Sequence, residues 1–146
     1  MWLDRMTYSP TTNALALSAT FSEQRNRVLA DNVANLDTPD YLTKQLDPKS
    51  FQASLRTALE RERTPGSSES LELRDNAQFA TRADGTITVK PAVEPPPNKL
   101  FHDGTNSQME QLLADVADNA LTYEFSTTLL RGQFLRLLQA IKGRVA

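Results

Sequence analysis

The residue types that most often carry catalysis are sparse in this sequence and do not cluster. The single histidine, His102, stands beside Asp103, but adjacent residues rarely hold a base and its orienting carboxylate in a useful geometry. No candidate nucleophile stands out, and we expect His102 to be a surface or turn residue. The chain has no cysteine, which excludes disulfides, thiolate zinc sites and thiol nucleophiles.

The carboxylates are spread among basic residues at the spacings of solvated helix faces, as in the segment from Glu60 to Arg63. No pair of them is isolated in apolar surroundings that would tune a general acid, and no glycine-rich phosphate loop or metal-ligand cluster is seen. The net charge of -2 offers no basic field for phosphate backbones. The sequence therefore predicts a protein that is not an enzyme, needs no cofactor or metal, and binds no nucleic acid.

Membrane insertion is also disfavoured. The segment from Met1 to Met6 lacks the apolar core of a cleaved signal peptide, and no apolar run approaches the roughly 20 residues that cross a bilayer. We expect no membrane-spanning segment. If the protein is exported, we expect a route that does not cleave a signal peptide.

Two long helices are predicted, one near each terminus. The first runs from Thr11 to Leu36, a stretch without glycine or proline, with Ser9 as the N-cap and Pro10 in the first turn. Its residues at alternating spacings of four and three are Leu15, Ala19, Ser22, Asn26, Leu29, Val33 and Leu36. A second stripe, Leu17, Phe21 and Val28, indicates that this helix contacts more than one partner.

The second helix is predicted from about Ser107 to Lys142, opening on a capping box of Ser107 and Glu110. Its seam at the same spacing is Met109, Leu113, Val116, Ala120, Tyr123, Thr127, Leu130, Phe134, Leu137 and Ile141. Further apolar residues flank the seam, namely Leu112, Leu121, Phe125, Leu129, Leu135 and Leu138. This is more apolar surface than one antiparallel helix can cover, and it marks an interaction surface.

Between these helices, the sequence is rich in proline and glycine and predicts little regular structure. A short helix is expected from Ser50 to Arg63, and a short hairpin from Phe79 to Thr81 and Thr86 to Lys90 around Asp84-Gly85. The prolines from Pro91 to Pro97 impose an extended path. The predicted fold class is mainly α, with the terminal helices packed like a coiled coil and a partly irregular middle region.

A polar turn must end the first helix. Thr38 precedes Pro39 and is pushed out of the helical region, while Asn35 and Asp37 can bond freed backbone groups. The residues in this turn, Asn32, Val33, Ala34, Asn35, Thr38, Pro39 and Tyr41, resemble the Asn-hydrophobic-Ala-Asn-x-x-Thr-Pro-Gly-Tyr signature of bacterial flagellar rod and hook proteins. Asp40 replaces the usual glycine, and aspartate tolerates a left-handed backbone better than most residues.

The resemblance extends to the other terminus. The segment from Asn119 to Gly143 is similar to the end of proximal rod members of this family, and Asp103 to Asn106 resembles the turn before their last helix. The resemblance implies that residues 1–42 and 105–146 form an inner tube domain around a variable region, residues 43–104. It implies a structural subunit of the proximal rod of the flagellar basal body, in a helical tube that transmits torque.

The resemblance also implies the partners and the location. The expected partners are copies of the chain itself, FlgC and neighbouring rod proteins, the rod-base protein FliE, and the export gate. Family members are exported unfolded without cleavage and assemble in the periplasm. Phe51 and Leu55 are a candidate export element, although ordinary helix packing explains them equally well.

The residues that we expect at the assembly interface are Leu15, Leu29, Val33, Leu113, Val116, Tyr123, Leu130, Phe134, Leu137 and Ile141. Gly132 lies outside the main seam, and we expect it to allow a close approach of a neighbouring helix. Two other functions stay open at this point. A soluble coiled-coil adaptor or export chaperone would share the amphipathic helices, whereas a small hydrolase acting on peptidoglycan would need a catalytic constellation that the sequence does not show.

Overall fold

The chain is mainly helical, with two short antiparallel ladders in the part that is described. The computed structural model describes residues 9–63, 71, 73–82, 87–93 and 109–143. The helices are α1 (Pro10–Ala34), α2 (Pro48–Glu62) and α3 (Met109–Ile141), and the strands are β1 (Lys44–Gln45), β2 (Phe79–Thr81), β3 (Ile87–Val89) and β4 (Ala92–Val93). The predicted class and the order of helices and hairpin are confirmed.

Helix α1 begins at the predicted residue but without the predicted cap. Ser9 has the extended backbone of an N-cap, with φ -92° and ψ 129°, yet its side chain makes no capping hydrogen bond. Its carbonyl accepts from the Asn13 N–H at 3.0 Å, which starts the helical ladder. Pro10 fits the first turn because an N–H there would have no helical partner. The predicted Ser107 capping box of the last helix lies outside the described residues.

Helix α2 and the hairpin form most of the described middle region. Asp47 caps α2 by accepting from the Lys49 N–H at 2.9 Å, and Pro48 opens the helix two residues before the predicted start. Strands β2 and β3 pair in the register Phe79↔Val89, Ala80↔Thr88 and Thr81↔Ile87. The predicted Asp84-Gly85 turn lies outside the described residues. The pairing of β1 with β4 was not predicted, since two-residue strands carry no alternation to detect.

The main apolar core lies between α1 and the middle region. The rings of Phe21 and Phe51 stack with centroids 4.1 Å apart, and Phe79 meets both rings edge-on. Such aromatic pairs each add about 0.5 to 1.5 kcal/mol beyond the area they bury. The core is completed by Val28, Leu46, Leu73 and Ile87, with Leu17, Leu55 and Val89 packed against it. The predicted second stripe of α1 is therefore confirmed, and its partners are α2 and the hairpin.

Helices α1 and α3 lie antiparallel and meet through polar side chains. The Asn119 amide donates to the Ser22 carbonyl at 2.9 Å, and Arg25 pairs with Asp115 at 2.8 Å, so residue numbers rise in one helix as they fall in the other. Extending this register places Arg131 level with Pro10. The last turns of α3 therefore continue beyond the described part of α1.

The predicted apolar seam between these helices is not confirmed: Val116, Leu130 and Leu137 of the seam are half-buried, but the most buried residues of α3 are not seam residues. The buried residues there are Leu112, Asn119 and Ser126, each next to a seam residue predicted from the sequence. The physical reason is that the short polar side chains of Asn119 and Ser126 allow close approach and satisfy hydrogen bonds. In α1, the predicted seam residues Asn26 and Val33 are exposed, whereas Ser22 and Leu29 are buried. The contact follows a seven-residue repeat but is not an apolar coiled-coil seam.

Candidate functional site

The polar turn after α1 is held by one buried amide. The Asn32 side chain, in a residue only 3% exposed, donates to the Lys44 carbonyl at 2.7 Å and accepts from the Lys44 N–H at 2.9 Å. Its oxygen also accepts the Tyr41 hydroxyl at 3.0 Å. The amide thus pairs with Lys44 as a neighbouring strand would, and Tyr41 closes the loop. Two signature residues are therefore brought together by direct contact.

The chain reverses at Pro39 and Asp40. The Tyr41 N–H donates to the Thr38 carbonyl at 3.2 Å, and Asp40 has a φ of 60°. Proline in the second position and a left-handed third residue are the requirements of a type II turn, which normally takes glycine in that third position. Asp40 therefore adopts the left-handed backbone that glycine usually supplies in the signature.

The other signature residues contribute through their local bonds. The Asn35 side chain donates to the Asp31 carbonyl at 2.8 Å, and the same carbonyl also accepts the Asn35 backbone N–H at 3.1 Å. The Thr38 N–H donates to the Asn35 carbonyl at 3.0 Å. Val33 and Ala34 are exposed on the last turn of α1. The turn is therefore fixed by backbone and amide groups, while Val33 and Ala34 are left available on the surface.

The Tyr41 phenol lies in surroundings that change its pKa. Burial raises the pKa of the Tyr41 phenol above its usual range, and the nearby Asp31 carboxylate raises it further. The phenol therefore stays protonated and can donate to Asn32 over a wider pH range than a free tyrosine.

The second feature of interest is the bare apolar surface of α3. Large apolar side chains are exposed along the whole helix, from Met109 and Leu113 in its first turns to Phe134 and Ile141 in its last turns. Between them the exposed members are Leu121, Tyr123, Phe125, Leu129, Leu135 and Leu138. Scattered single residues of this kind are ordinary, but an extended apolar face on one helix marks an interaction surface.

The structure divides the predicted interface residues into three groups. Val33, Leu113, Tyr123, Phe134 and Ile141 are exposed, and Leu15, Val116, Leu130 and Leu137 are half-buried. Leu29 is only 6% exposed, so its side chain is already buried within the chain. A neighbour cannot reach Leu29 in this conformation, and we leave it out of the proposed surface.

A groove of about 400 Å³ opens where α1, α3 and the start of α2 come together. Its walls include Leu15 and Ser18 from α1, Lys49 and Gln52 from α2, and Asp118 and Phe125 from α3. More of its surface is apolar than polar. This groove was not predicted from the sequence, because its walls come from three separate segments.

The candidate export residues lie in the core. Phe51 is buried against Phe21 and Phe79. Leu55 packs against the main core and against a second apolar cluster, which comprises Ala14, Ala58 and Leu71. Their apolar character is therefore explained by packing in the folded chain. An additional role in export is not tested by these contacts.

The polar residues between α1 and α3 were missed by sequence reasoning. Arg25, with a side chain only 6% exposed, reaches Asp115 at 2.8 Å and Asp118 at 3.8 Å. The available signal was the charged Arg25 among apolar neighbours of a predicted helix, which called for a partner. Its partner is 90 residues away in the sequence, and periodicity cannot link the two.

Within the described residues, no three acidic or histidine side chains come close enough to hold a metal ion. No helix in this part of the chain is long and apolar enough to cross a membrane. His102 and Asp103 lie outside the described ranges.

The hydrogen-bonded turn after α1 and the exposed apolar residues of α3 are features of a class of proteins that bind other proteins. Similarity to known proteins gives the particular family. The chain is 31% identical over 121 residues to the flagellar basal body rod protein FlgB of Cereibacter sphaeroides, covering 83% of this chain and 85% of the relative. The chain belongs to the FlgB family of flagellar basal body rod proteins.

Two further relatives carry the same name. The chain is 29% identical over 120 residues to FlgB of Escherichia coli and 29% identical over 127 residues to FlgB of Yersinia enterocolitica. Each match covers 82% of this chain and 84% of the relative. No family model matches the chain.

Proposed function

We propose that the chain is a structural subunit of the proximal rod of the flagellar basal body, in a helical tube that transmits torque. The observation that carries the proposal is the uncovered apolar face of α3 in a chain of the FlgB family. Fully burying one large apolar side chain is worth about 1.5 to 3 kcal/mol. Partial burial of several such side chains by each neighbour would hold a lattice together.

The mechanism is mechanical. Neighbouring subunits cover the face of α3 by contacts between different surfaces, which extend into a helix when the rotation does not close a ring. Many contacts then carry torque in parallel. The proposed subunit surface comprises Leu15, Val33, Leu113, Val116, Tyr123, Leu130, Phe134, Leu137 and Ile141.

The internal division and the setting are part of the same proposal. Residues 1–42 and 105–146 form the tube domain, and residues 43–104 form the variable region that packs on it. The partners are copies of the chain, FlgC and neighbouring rod proteins, FliE and the export gate, in the periplasm.

The signature turn serves this assembly by fixing the path of the chain as it leaves α1. The Asn32 amide ties Lys44 of β1 to the end of the helix, and Tyr41 holds the amide in place. The middle region therefore leaves α1 in one direction, as a repeated lattice contact requires.

Phe51 and Leu55 remain a proposed export element. Replacing Leu55 with methionine conserves apolar volume for folding and changes the side-chain shape that an export receptor would read. Loss of secretion from a strain, with unchanged thermal unfolding of the purified variant, would support export recognition. Secretion at the wild-type level would remove Leu55 from the element.

The test of the proposed function is deletion and complementation. Cells that lack the gene are expected to lose motility and to have basal bodies without a proximal rod, while inner-membrane rings remain. Restoring the gene should restore both, and a labelled chain should be imaged at the base of the rod. Normal rods in the deletion strain would contradict the proposal. A chain that stays soluble with unassembled export substrates would instead favour an adaptor or chaperone.

A further inference from the structure

The signature turn carries negative charge that has no partner in the described part of the chain. Asp31, Asp37 and Asp40 are exposed, and none of them belongs to the ion pairs found there. They lie at the carboxyl end of α1, whose last turn has no basic residue. The helix dipole is negative at this end, so a carboxylate there is unfavourable unless a cation lies nearby. Val33 and Leu42 are exposed in the same segment.

The outer face of α2 carries the opposite charge. Lys49, Arg56 and Arg63 are exposed and follow one another at intervals of seven residues, which places them along one face of the helix. The ion pairs of the described residues include none of the three. Glu60 adds one acid to this face, which leaves two net positive charges.

A shallow groove of about 280 Å³ lies on this face of α2, and we call it the α2 groove. Leu55 and Leu59 are half-buried in its walls, and the exposed Arg56 and Arg63 line it as well. It therefore suits an apolar side chain that is flanked by carboxylates. The signature turn exposes this combination.

Helices α1 and α2 run antiparallel. Phe21 stacks on Phe51, and Ala14 lies in one apolar cluster with Ala58. Residue numbers therefore rise along α1 as they fall along α2. The C-terminal half of α2, with the α2 groove, lies beside the start of α1.

The signature turn follows the other end of α1. In the antiparallel register, Arg56 is level with Ala16, and Ala34 lies 18 residues further along α1. This is about 27 Å along an α-helix, far beyond the reach of an ion pair. The acids of the turn and the bases of α2 therefore cannot pair within one copy, but they can pair between copies.

We propose that the signature turn of one copy binds in the α2 groove of a second copy. The exposed apolar residues of the turn then cover the apolar walls of the groove, and its carboxylates lie beside the two arginines. Because the two surfaces lie at opposite ends of α1, each bound copy still offers a free turn and a free groove. Such a contact repeats along a line. This inference rests on the proposed rod function and deepens it by naming a contact between copies.

Charge reversal tests the contact in the full chain. One variant reverses the groove with Arg56→Glu and Arg63→Glu, and the other reverses the turn with Asp31→Lys and Asp37→Lys. Each variant alone brings like charges together, so we expect its self-association in sedimentation at low salt to fall about tenfold or more. Circular dichroism checks that both variants keep their helices.

Two single reversals are the matched controls. Lys90→Glu and Glu110→Lys each reverse an exposed charge outside the two surfaces. Both are expected to associate as the wild-type chain does. A control that loses as much association as the groove or turn variant would contradict a specific contact.

Mixing the two reversed variants gives the sharper result. The acidic turn of the groove variant meets the basic groove of the turn variant, and the basic turn of the turn variant meets the acidic groove of the other. The mixture should therefore recover wild-type association, which misfolded variants could not do. Undiminished association of either variant alone, or no recovery in the mixture, would overturn the proposal.

A cross-link tests which surfaces meet. The chain has no cysteine, so Leu42→Cys in the turn and Gln52→Cys at the α2 groove place single thiols in separate copies. Oxidation of the mixture should give a disulfide-linked dimer, whereas Lys90→Cys mixed with Gln52→Cys should not. Absence of the turn-to-groove dimer would overturn the proposal. If the groove-reversed variant still restores rods and motility in the deletion strain, this inference fails and the proposed function stands.

Discussion

At the scale of single residues, the signature turn contains a strained position. Asp40 holds a φ of 60°, where an L side chain is unfavourable and glycine is free of that cost. Its carboxylate reduces the penalty without removing it. Asp40 therefore forms the turn with more backbone strain than glycine would have at the same position.

Replacing Asp40 with glycine is expected to raise the free energy of unfolding by about 0.5 kcal/mol, because relief of backbone strain exceeds the added freedom of the unfolded chain. Asp40→Val should lower it by about 1 kcal/mol or more, since a branched side chain fits this region poorly. Urea unfolding of both variants measures their free energies of unfolding and so shows which variant is more stable. A valine variant as stable as the glycine variant would contradict the left-handed turn.

Tyr41 should make the stability of the turn depend on pH. Its raised pKa means that the folded chain favours the protonated phenol, so the stabilisation is complete below about pH 10 and is lost as pH rises through the folded-state pKa. Tyr41→Phe lacks both the Asn32 hydrogen bond and this titration. We expect the wild-type chain to be more stable than the variant at pH 8, with the difference shrinking at pH 10.5. Urea unfolding at both pH values, with Tyr123→Phe as an exposed control, tests it.

At the scale of helices and strands, α1 works on two faces at once. One face carries Phe21 and Val28 into the aromatic core, and another carries Ser22 and Arg25 against α3. The polar contact sets the rotation of α3, so that most of its large apolar residues are exposed, whereas Leu112 is buried. An apolar seam alone would allow several rotations and registers of similar energy. A buried charge is paired in only a few of these arrangements.

The ion pair between α1 and α3 gives an asymmetric prediction. Asp115→Ala leaves the buried Arg25 guanidinium with only the distant Asp118 carboxylate, so the free energy of unfolding should fall by about 1 to 3 kcal/mol. Arg25→Met replaces the charge with an apolar side chain of similar length and should cost less. Denaturant unfolding of both single variants and the double variant measures the coupling. Equal losses in the two single variants would count against a buried, paired arginine.

Apolar periodicity predicted the three helices of the described residues, and the turn residues predicted the β2–β3 hairpin. Periodicity did not predict which face of α3 packs against α1. Apolar spacing shows that a helix face tends to be buried, but it does not show which element buries it. The predicted seam and the observed contact differ by one residue, as Leu113 and Leu112 show. The turn was predicted from Thr38 and Pro39, whereas the pairing of Asn32 with Lys44 depends on a contact 12 residues apart. Such contacts have no local signature.

At the scale of the whole molecule, Gly132 offers a test of a neighbour. Apart from its chain neighbours and the adjacent backbone of its own helix, a β-carbon at Gly132 would meet no atom within 4 Å. Gly132→Ala should therefore stabilise the isolated chain by up to about 1 kcal/mol through helix propensity alone. Gly132→Leu should fold as well but impair motility, since a larger side chain would meet a closely packed neighbouring helix. Normal swimming by the leucine variant would show that no helix approaches there.

The placement of the core also predicts how stability is distributed. Neither apolar cluster contains a residue of α3, which is held to α1 in part by polar contacts. Local opening of α3 should therefore cost less than opening of α1. Hydrogen exchange on the isolated chain is expected to show weaker protection for amides in α3, most of all after Arg131. Equal protection in both helices would contradict this distribution.

The same separation has a consequence for timing. The three phenylalanine rings come from α1, α2 and β2, so they can pack together without any part of α3. Helix α3 is thus the last element to fold onto the chain, and its outer face stays exposed. A subunit that arrives at the growing end would be able to complete its fold and contact its neighbours through α3 in a single step.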